Sequence, residues 1–257
     1  EAAGEAKLER PAPAGRLDPD PEPPCVLVDG GRPDLRTPFR PVGDQASAGR
    51  FNVHNALAVV GLGVGMGLDP DAVAAGLAAV PGVPGRMERV DAGQPFGVIV
   101  DYAHSPASLE KVLDLLRPVA AARGGGLIVV FGSAGERDRA KRPMMGRIAG
   151  ERCRVVIATD EDPRGEDRDA IVEEILAGAR ATAAGGVELL AIPDRRAAIA
   201  AALERARPED VVLLAGKGHE RSIIGAAGPL PWDEPAEARA GLARLGYGLP
   251  ATGRPSG

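Results

Sequence analysis

Three segments carry the residues that could do chemistry. They are Gly135-Glu136-Arg137-Asp138-Arg139-Ala140-Lys141-Arg142-Pro143, Asp160-Glu161-Asp162-Pro163-Arg164 and Gly216-Lys217-Gly218-His219-Glu220. Arg137 and Arg164 offer forked donors that match carboxylates, whereas Glu220 can pair with an ammonium. Together they suggest a site for an anionic or zwitterionic small molecule. Each segment also has a blander reading. Arg137, Arg139, Lys141 and Arg142 could form a solvated basic turn, as charge runs usually do. His104 and His219 could be loop or capping histidines instead of acid–base groups. His54 lies on an Ala-rich stretch, and Met87, Met144 and Met145 read as packing groups.

The elements that must position these segments are legible as apolar runs. Val98–Val100, Leu127–Phe131, Val155–Ala158, Val187–Ile192 and Val211–Ala215 have strand character. Between them the sequence predicts helices near Leu109–Leu116, Pro143–Ala149 and Ala170–Ala183, and one begun by Asp194. Short β-rich runs separated by helices imply an α/β fold, a Rossmann-like, mostly parallel sheet with helices on both faces. In such a sheet the ligand loops lie beyond the carboxyl ends of the strands, where the three segments fall. Upstream, Asn52–Val64 reads as a helix, and Asp69-Pro70 supplies an N-cap and first-turn proline for a second helix through Val80.

Composition removes several function classes. At 257 residues, 44% hydrophobic and 26% charged, the chain can bury a sizeable core. A net charge of −5 gives no basic field for nucleic acid. No apolar stretch approaches the roughly 18 residues of a membrane span, so the cytoplasm is the expected compartment. Cys25 and Cys153 stand apart without further ligands at metal spacing, so no metal site is expected. No phosphate-loop signature occurs, and Gly61, Gly63, Gly65 and Gly67 do not meet the dinucleotide fingerprint. Those glycines read as allowing close helix packing. Trp232 alone makes no base-stacking platform. The prolines at 11, 13, 19, 21, 23 and 24 make residues 1–24 a linker or disordered segment. Cys25–Asp29 and Leu35–Val42 could be short edge strands.

Several ordered motifs resemble one family. Gly49-Arg50-Phe51-Asn52-Val53-His54-Asn55-Ala56-Leu57-Ala58, Gly85-Arg86-Met87-Glu88, Asp101-Tyr102-Ala103-His104-Ser105-Pro106, the Arg-Asp-Arg-x-Lys-Arg-Pro run and Gly-Lys-Gly-His-Glu are similar to the Mur ligases. Within that family they resemble the branch of UDP-N-acetylmuramoyl-tripeptide synthetases. The resemblance implies that residues 25–82 end a central ATPase domain, that 83–246 form the C-terminal Rossmann-like domain, and that 247–257 are a disordered tail.

The resemblance also implies a chemistry. ATP would phosphorylate the terminal carboxylate of a UDP-MurNAc-dipeptide, and the amine of a diamino acid would attack it. Arg86 would stabilise the transferred phosphoryl group as the catalytic residue. Asn52, Arg86, Asp101, Tyr102 and His104 would contact ATP. Arg137, Glu161, Asp162, Pro163, Arg164, Gly216 and Glu220 would bind the diamino acid. Glu161-Asp162 replaces the family's Asp-Asn. Arg164 argues for meso-diaminopimelate, whose distal carboxylate it could clamp, while a free carboxylate at Asp162 could favour lysine or ornithine. The phosphate loop and the Mg2+ ligands would lie upstream of Glu1, so this chain alone is expected to be inactive, and a monomer. Two further classes stay open: a stand-alone amino-acid-binding or regulatory module, and a different Mur-type ligase such as a D-alanyl-D-alanine-adding enzyme.

Overall fold

A computed structural model describes residues 50–80, 82–183 and 185–248 of the chain. The expected linker at 1–24, the edge strands at 25–29 and 35–42, and residues 249–257 lie outside the described residues. In chain order the elements are α1 (Arg50–Gly65), α2 (Pro70–Ala79), β1 (Glu88–Arg89), β2 (Gly97–Asp101), α3 (Pro106–Ala121), β3 (Leu127–Phe131), α4 (Lys141–Arg152) and β4 (Val155–Ala158). There follow α5 (Arg168–Arg180), β5 (Glu188–Ala191), α6 (Arg195–Arg205), β6 (Val211–Ala215), β7 (Ser222–Gly225), β8 (Gly228–Pro231) and α7 (Glu234–Arg244).

Strands β2, β3, β4 and β6 are buried at every position. Continuous apolar runs of that kind suit a parallel sheet covered on both sides. The strands form one six-stranded sheet in the order β1-β2-β6-β3-β4-β5, parallel except for β1, which pairs antiparallel with β2. The α/β class and the mostly parallel sheet are therefore as the sequence predicts. Because side chains alternate across a strand, each strand feeds two cores. Ile99, Val129, Phe131, Val156 and Leu213 pack with Leu113, Met145 and Ile175 of α3, α4 and α5. Val98, Val100, Ile128, Val130 and Leu214 pack with Ile199, Leu203, Ala238 and Leu242 of α6 and α7.

Local chemistry fixes the helix starts. Asp69 accepts from the Asp71 amide at 2.9 Å, Asp194 from Ala197 at 2.8 Å and Asp233 from Ala236 at 3.0 Å, each filling an otherwise unpaired first-turn donor. Ser105 and Ser108 close a reciprocal cap on α3.

Three elements were absent from the sequence reading: β1, the β7–β8 hairpin and α7. The paired strands β7 and β8 are four residues each, and β8 carries Pro229 and Pro231, which hide a strand pattern. The Gly61–Gly67 series behaves differently from expectation. A Cβ on Gly63 would meet Val73 of α2 at 2.7 Å, but Gly61, Gly65 and Gly67 have open space around them among the described residues. Of these four, Gly63 alone is a packing glycine among the described residues. Tyr247, placed in a tail by the sequence, sets its ring edge-on to Phe96 with centroids 6.0 Å apart. Cys153 is buried, and burial pushes its thiol up, which agrees with a bland thiol. Among the described residues no helix is long and apolar enough to cross a membrane.

Candidate functional site

The order β2-β6-β3-β4 places the carboxyl ends of four parallel strands side by side, and the loops beyond them hold the three segments singled out from sequence. These loops are knitted together at backbone level. The Gly135 amide donates to Asp162 O at 2.8 Å, and a Cβ at Gly135 would stand 2.0 Å from Pro163 O, so no other residue fits there unchanged. The hairpin missed in the sequence holds the same loop from outside. The Arg164 amide donates to Ile224 O at 2.8 Å and the Ile224 amide donates to Asp162 Oδ1 at 2.9 Å.

The loops after β4 and β6 are joined through a buried lysine. Lys217 Nζ, fully buried, donates to Asp162 Oδ1 at 2.8 Å and lies 2.6 Å from Glu220 Oε2. The extra carboxylate expected at Asp162 is thus paired within the fold, because Lys217 and the Ile224 amide both bind one of its oxygens. Glu220 Oε1 accepts from Tyr102 Oη at 3.2 Å, and burial and this carboxylate push the phenol up. Glu161 is the contrast. It is 7% exposed, yet its Oε2 has no hydrogen-bond partner among the described residues. Burial raises its carboxyl above the ordinary 4.5, against the opposing pull of Lys141, Arg195, Lys217 and His104. Gly216, at φ +107, lies against this carboxylate: a Cβ there would be 3.6 Å from Glu161 Cδ. Arg164 Nε and Ser133 Oγ are likewise buried without partners among the described residues. Such atoms are rare in folded proteins and mark places where a ligand or water supplies the missing bond. Pro163 is buried in the same turn, and Arg164 adopts φ 55. Arg137 stands exposed on its loop with no ion pair among the described residues.

A second cluster surrounds Tyr102. The Arg86 guanidinium lies over its ring at 4.8 Å, and the rings of His104 and His219 sit 4.5 and 5.0 Å away. Arg86 and His219 are exposed. Gly85, at φ +67, packs its backbone on this cluster: a Cβ would fall 2.1 Å from the His219 amide nitrogen. His104 Nδ1 is 2.8 Å from Tyr102 O, and Lys141 Nζ donates to His104 O at 2.8 Å, so both brace the turn after β2. Asp101 does the same. Its Oδ2 accepts from the Met87 amide at 2.8 Å and its Oδ1 from Ala103 at 2.9 Å; burial raises its carboxyl, and the two bonds partly oppose this. Asn52 lies in α1, where its side chain is outside the description.

Two buried arginines escaped the sequence reading. Arg142, for which a solvated turn is the blander of the expectations from sequence, is fully buried: it pairs with Glu166 and Glu174 and donates to Ala134 O at 3.2 Å. Arg195 pairs with Glu234 within the fold. A cavity of about 210 Å³ opens beside the Gly216–Glu220 loop, between Glu88, Glu220, Arg221, Asp233 and Arg239. Its charges are already paired, Arg221 with Asp233 and Arg239 with Glu88, and it does not reach Glu161 or Arg164.

A family model for the Mur ligase, glutamate ligase domain matches residues 85–218, more than half of the chain. The chain belongs to the Mur ligase family. The matched interval runs from Gly85, beside Arg86, to Gly218 and takes in every loop just described except the end of the last. A UDP-N-acetylmuramyl-tripeptide synthetase of Roseiflexus is 57% identical over 201 residues, which are 78% of this chain and 39% of that protein. A UDP-N-acetylmuramoyl-L-alanyl-D-glutamate--2,6-diaminopimelate ligase of Solibacter usitatus is 44% identical over 77% of this chain and 39% of its own length. The chain therefore spans about two-fifths of the relatives it matches. A solved structure of a ligase with the latter name superposes with a TM-score of 0.57 at 33% identity, over 79% of this chain and 40% of that one. The folylpolyglutamate synthase of Mycobacterium tuberculosis complexed with ADP and AMPPCP gives 0.52 at 25% identity, over 67% and 39%. Against these Mur ligases the described sheet is the shared fold.

Proposed function

We propose that this chain forms the amino-acid-binding part of an ATP-dependent ligase that joins meso-diaminopimelate to UDP-MurNAc-L-Ala-D-Glu. The observation that carries the choice of amino acid is the pairing of Asp162 with Lys217 at 2.8 Å. With that carboxylate neutralised internally, the turn 161–164 offers a distal ammonium no free anion at Asp162, while the Arg164 guanidinium remains for a distal carboxylate. Glu161, whose Oε2 lacks a hydrogen-bond partner among the described residues, would hold an ammonium, Gly216 and Glu220 would position the zwitterion, and Arg137 would take a carboxylate from the neighbouring loop. Holding the amine fixed is where such a site gains rate, because it turns a bimolecular attack into an effectively unimolecular one.

The residues offered to the nucleotide fit an anion in part. Arg86 is exposed and cationic over the Tyr102 face, with Tyr102 and His104 forming a ring platform. Asp101 fits a ribose less well, since each oxygen already accepts an amide. ATP, when bound, supplies the phosphoryl group that activates the acceptor carboxylate; Arg86 would stabilise charge developing on it. Among the described residues no cluster of metal-ligating side chains forms, so Mg2+ is assigned no residue here.

The test is ATP-dependent phosphate release by the complete ligase carrying this chain, offered meso-diaminopimelate, L-lysine and L-ornithine in turn. Release with diaminopimelate, lost in Arg164→Lys, is the expected result. Turnover with lysine or ornithine alone would reject the assignment.

A further inference from the structure

The proposed site takes Glu161 and Arg164 from the loop after β4 and Gly216 and Glu220 from the loop after β6, so its geometry depends on the distance between those loops. Lys217 joins them from within, through Asp162, and one side chain from outside the two loops also holds both. Arg195, the first residue of α6, donates from Nη1 to Asp160 O at 2.8 Å and from Nη2 to Ala215 O at 2.8 Å. Asp160 immediately precedes Glu161, and Ala215 immediately precedes Gly216. On its other edge the guanidinium meets Glu234, with Nε to Oε2 at 2.9 Å and Nη2 to Oε1 at 2.6 Å. Both side chains are completely buried, and Glu234 also accepts from Trp232 Nε1.

A buried ion pair is weak evidence for stability, because desolvation offsets most of its attraction. A well-packed apolar pair would hold α6 and α7 to the sheet as firmly. What an apolar pair cannot do is bind two strand-end carbonyls at once, and the compact ammonium of a lysine on its flexible stem lacks the rigid planar fork that reaches both carbonyls while its other edge meets Glu234. We infer that Arg195, oriented by Glu234, is a positioning residue that fixes the separation of the two substrate-binding loops. This inference rests on the proposed amino-acid site, but the tie between the loops can be measured without it.

Two readouts test it. Hydrogen exchange of the 257-residue chain reads the tie directly, and substrate kinetics of the complete ligase read its use. In Arg195→Lys, which keeps the charge beside Glu234 but loses the fork, amide exchange across 160–164 and 216–221 should rise together by about tenfold, with α4 unchanged. The KM for the diamino acid should rise by about 10- to 100-fold while those for ATP and the UDP-linked substrate stay within about twofold. Glu234→Gln, which leaves the guanidinium without its orienting charge, should give the same pattern more weakly and serves if the first variant does not fold. Unchanged exchange in either loop overturns the tie. Three KM values moving together, or kcat falling alone, overturns the positioning role. Absence of turnover with every diamino acid in the unsubstituted ligase would reject the proposed function, and exchange would still decide whether Arg195 joins the loops.

Discussion

The two halves of the candidate site are built on opposite plans. Around Glu161, Arg164 and Glu220 the chain is buried, cross-linked between loops and braced by charges it supplies itself: Lys217 against Asp162 and Glu220, Arg142 against Glu166 and Glu174, Arg195 against Glu234. Around Tyr102 the outward side chains, Arg86 and His219, are exposed, and among the described residues they make ring contacts only. A half whose framework is completed within one chain can be preorganised by folding. A half made of exposed side chains over an aromatic platform owes little to folding and depends on what is laid against it. Substitutions of the paired charges of the first half should therefore cost stability and binding together, and those of the exposed side chains in the second should cost activity alone.

The contrast is broken most severely at Lys217. Lys217→Met would leave Asp162 buried without its cation, and removing one partner of a buried pair typically costs about 3–5 kcal/mol. Urea unfolding of the chain should show that loss, and a change below about 1 kcal/mol would mean that Asp162 relaxes to solvent. Gly85→Ala comes next, because it strikes the seam where the halves meet. Its φ of +67 and the His219 amide 2.1 Å from the added Cβ leave no room without backbone movement. A loss of about 2 kcal/mol is expected from strain of this kind, read from the same unfolding curves.

The scaffold of both halves was legible because its signal is local. Leu127–Phe131, Val155–Ala158 and Val211–Ala215 are apolar at every position, and each is a strand with those bounds. Asp69 and Asp194 announced their helices by capping chemistry that acts within three residues. The framework of the site was not legible, because its partners are far apart in sequence. Nothing near Arg142 in a run of basic residues says that Glu166 and Glu174 will bury it, and nothing near Asp162 says that Lys217 will neutralise it. Arg195 sits in a stretch that reads as an ordinary polar helix start, and its two carbonyl partners leave no mark in sequence at all. Residue types thus singled out the loops of the candidate site, whereas the cation that each carboxylate faces was fixed only by tertiary pairing.

Glu161 sharpens the contrast, because its carboxylate is the one buried acid of the first half with an oxygen that lacks a hydrogen-bond partner among the described residues. Its carboxyl titrates above 4.5 in the fold, chiefly through burial, so the folded chain binds that proton more tightly than the unfolded chain. The stability this group contributes is complete below 4.5 and is lost as pH rises through the raised folded value. Glu161→Gln should therefore stabilise the chain at neutral pH, and by nothing once the pH falls below 4.5. The same substitution should abolish saturation with the diamino acid in the complete ligase, the pattern of a residue retained for binding at a cost in stability. A variant that is less stable at neutral pH would show that Lys141, Arg195 and Lys217 need the charge more than burial penalises it.

Arg86 carries the smallest expected effect on folding and closes the comparison. Its guanidinium is exposed, and the contact with the Tyr102 ring is worth no more than about 0.5–1 kcal/mol at such a site. Arg86→Ala should leave urea unfolding of the chain within that range while lowering kcat of the complete ligase by about 100- to 1,000-fold, as removal of one charge-stabilising donor does. KM for the diamino acid should not move, because Arg86 belongs to the other half. If that KM rises with the fall in kcat, Arg86 acts on both substrates and the two halves are not separable; if kcat is unchanged, Arg86 is only a lid on the Tyr102 ring.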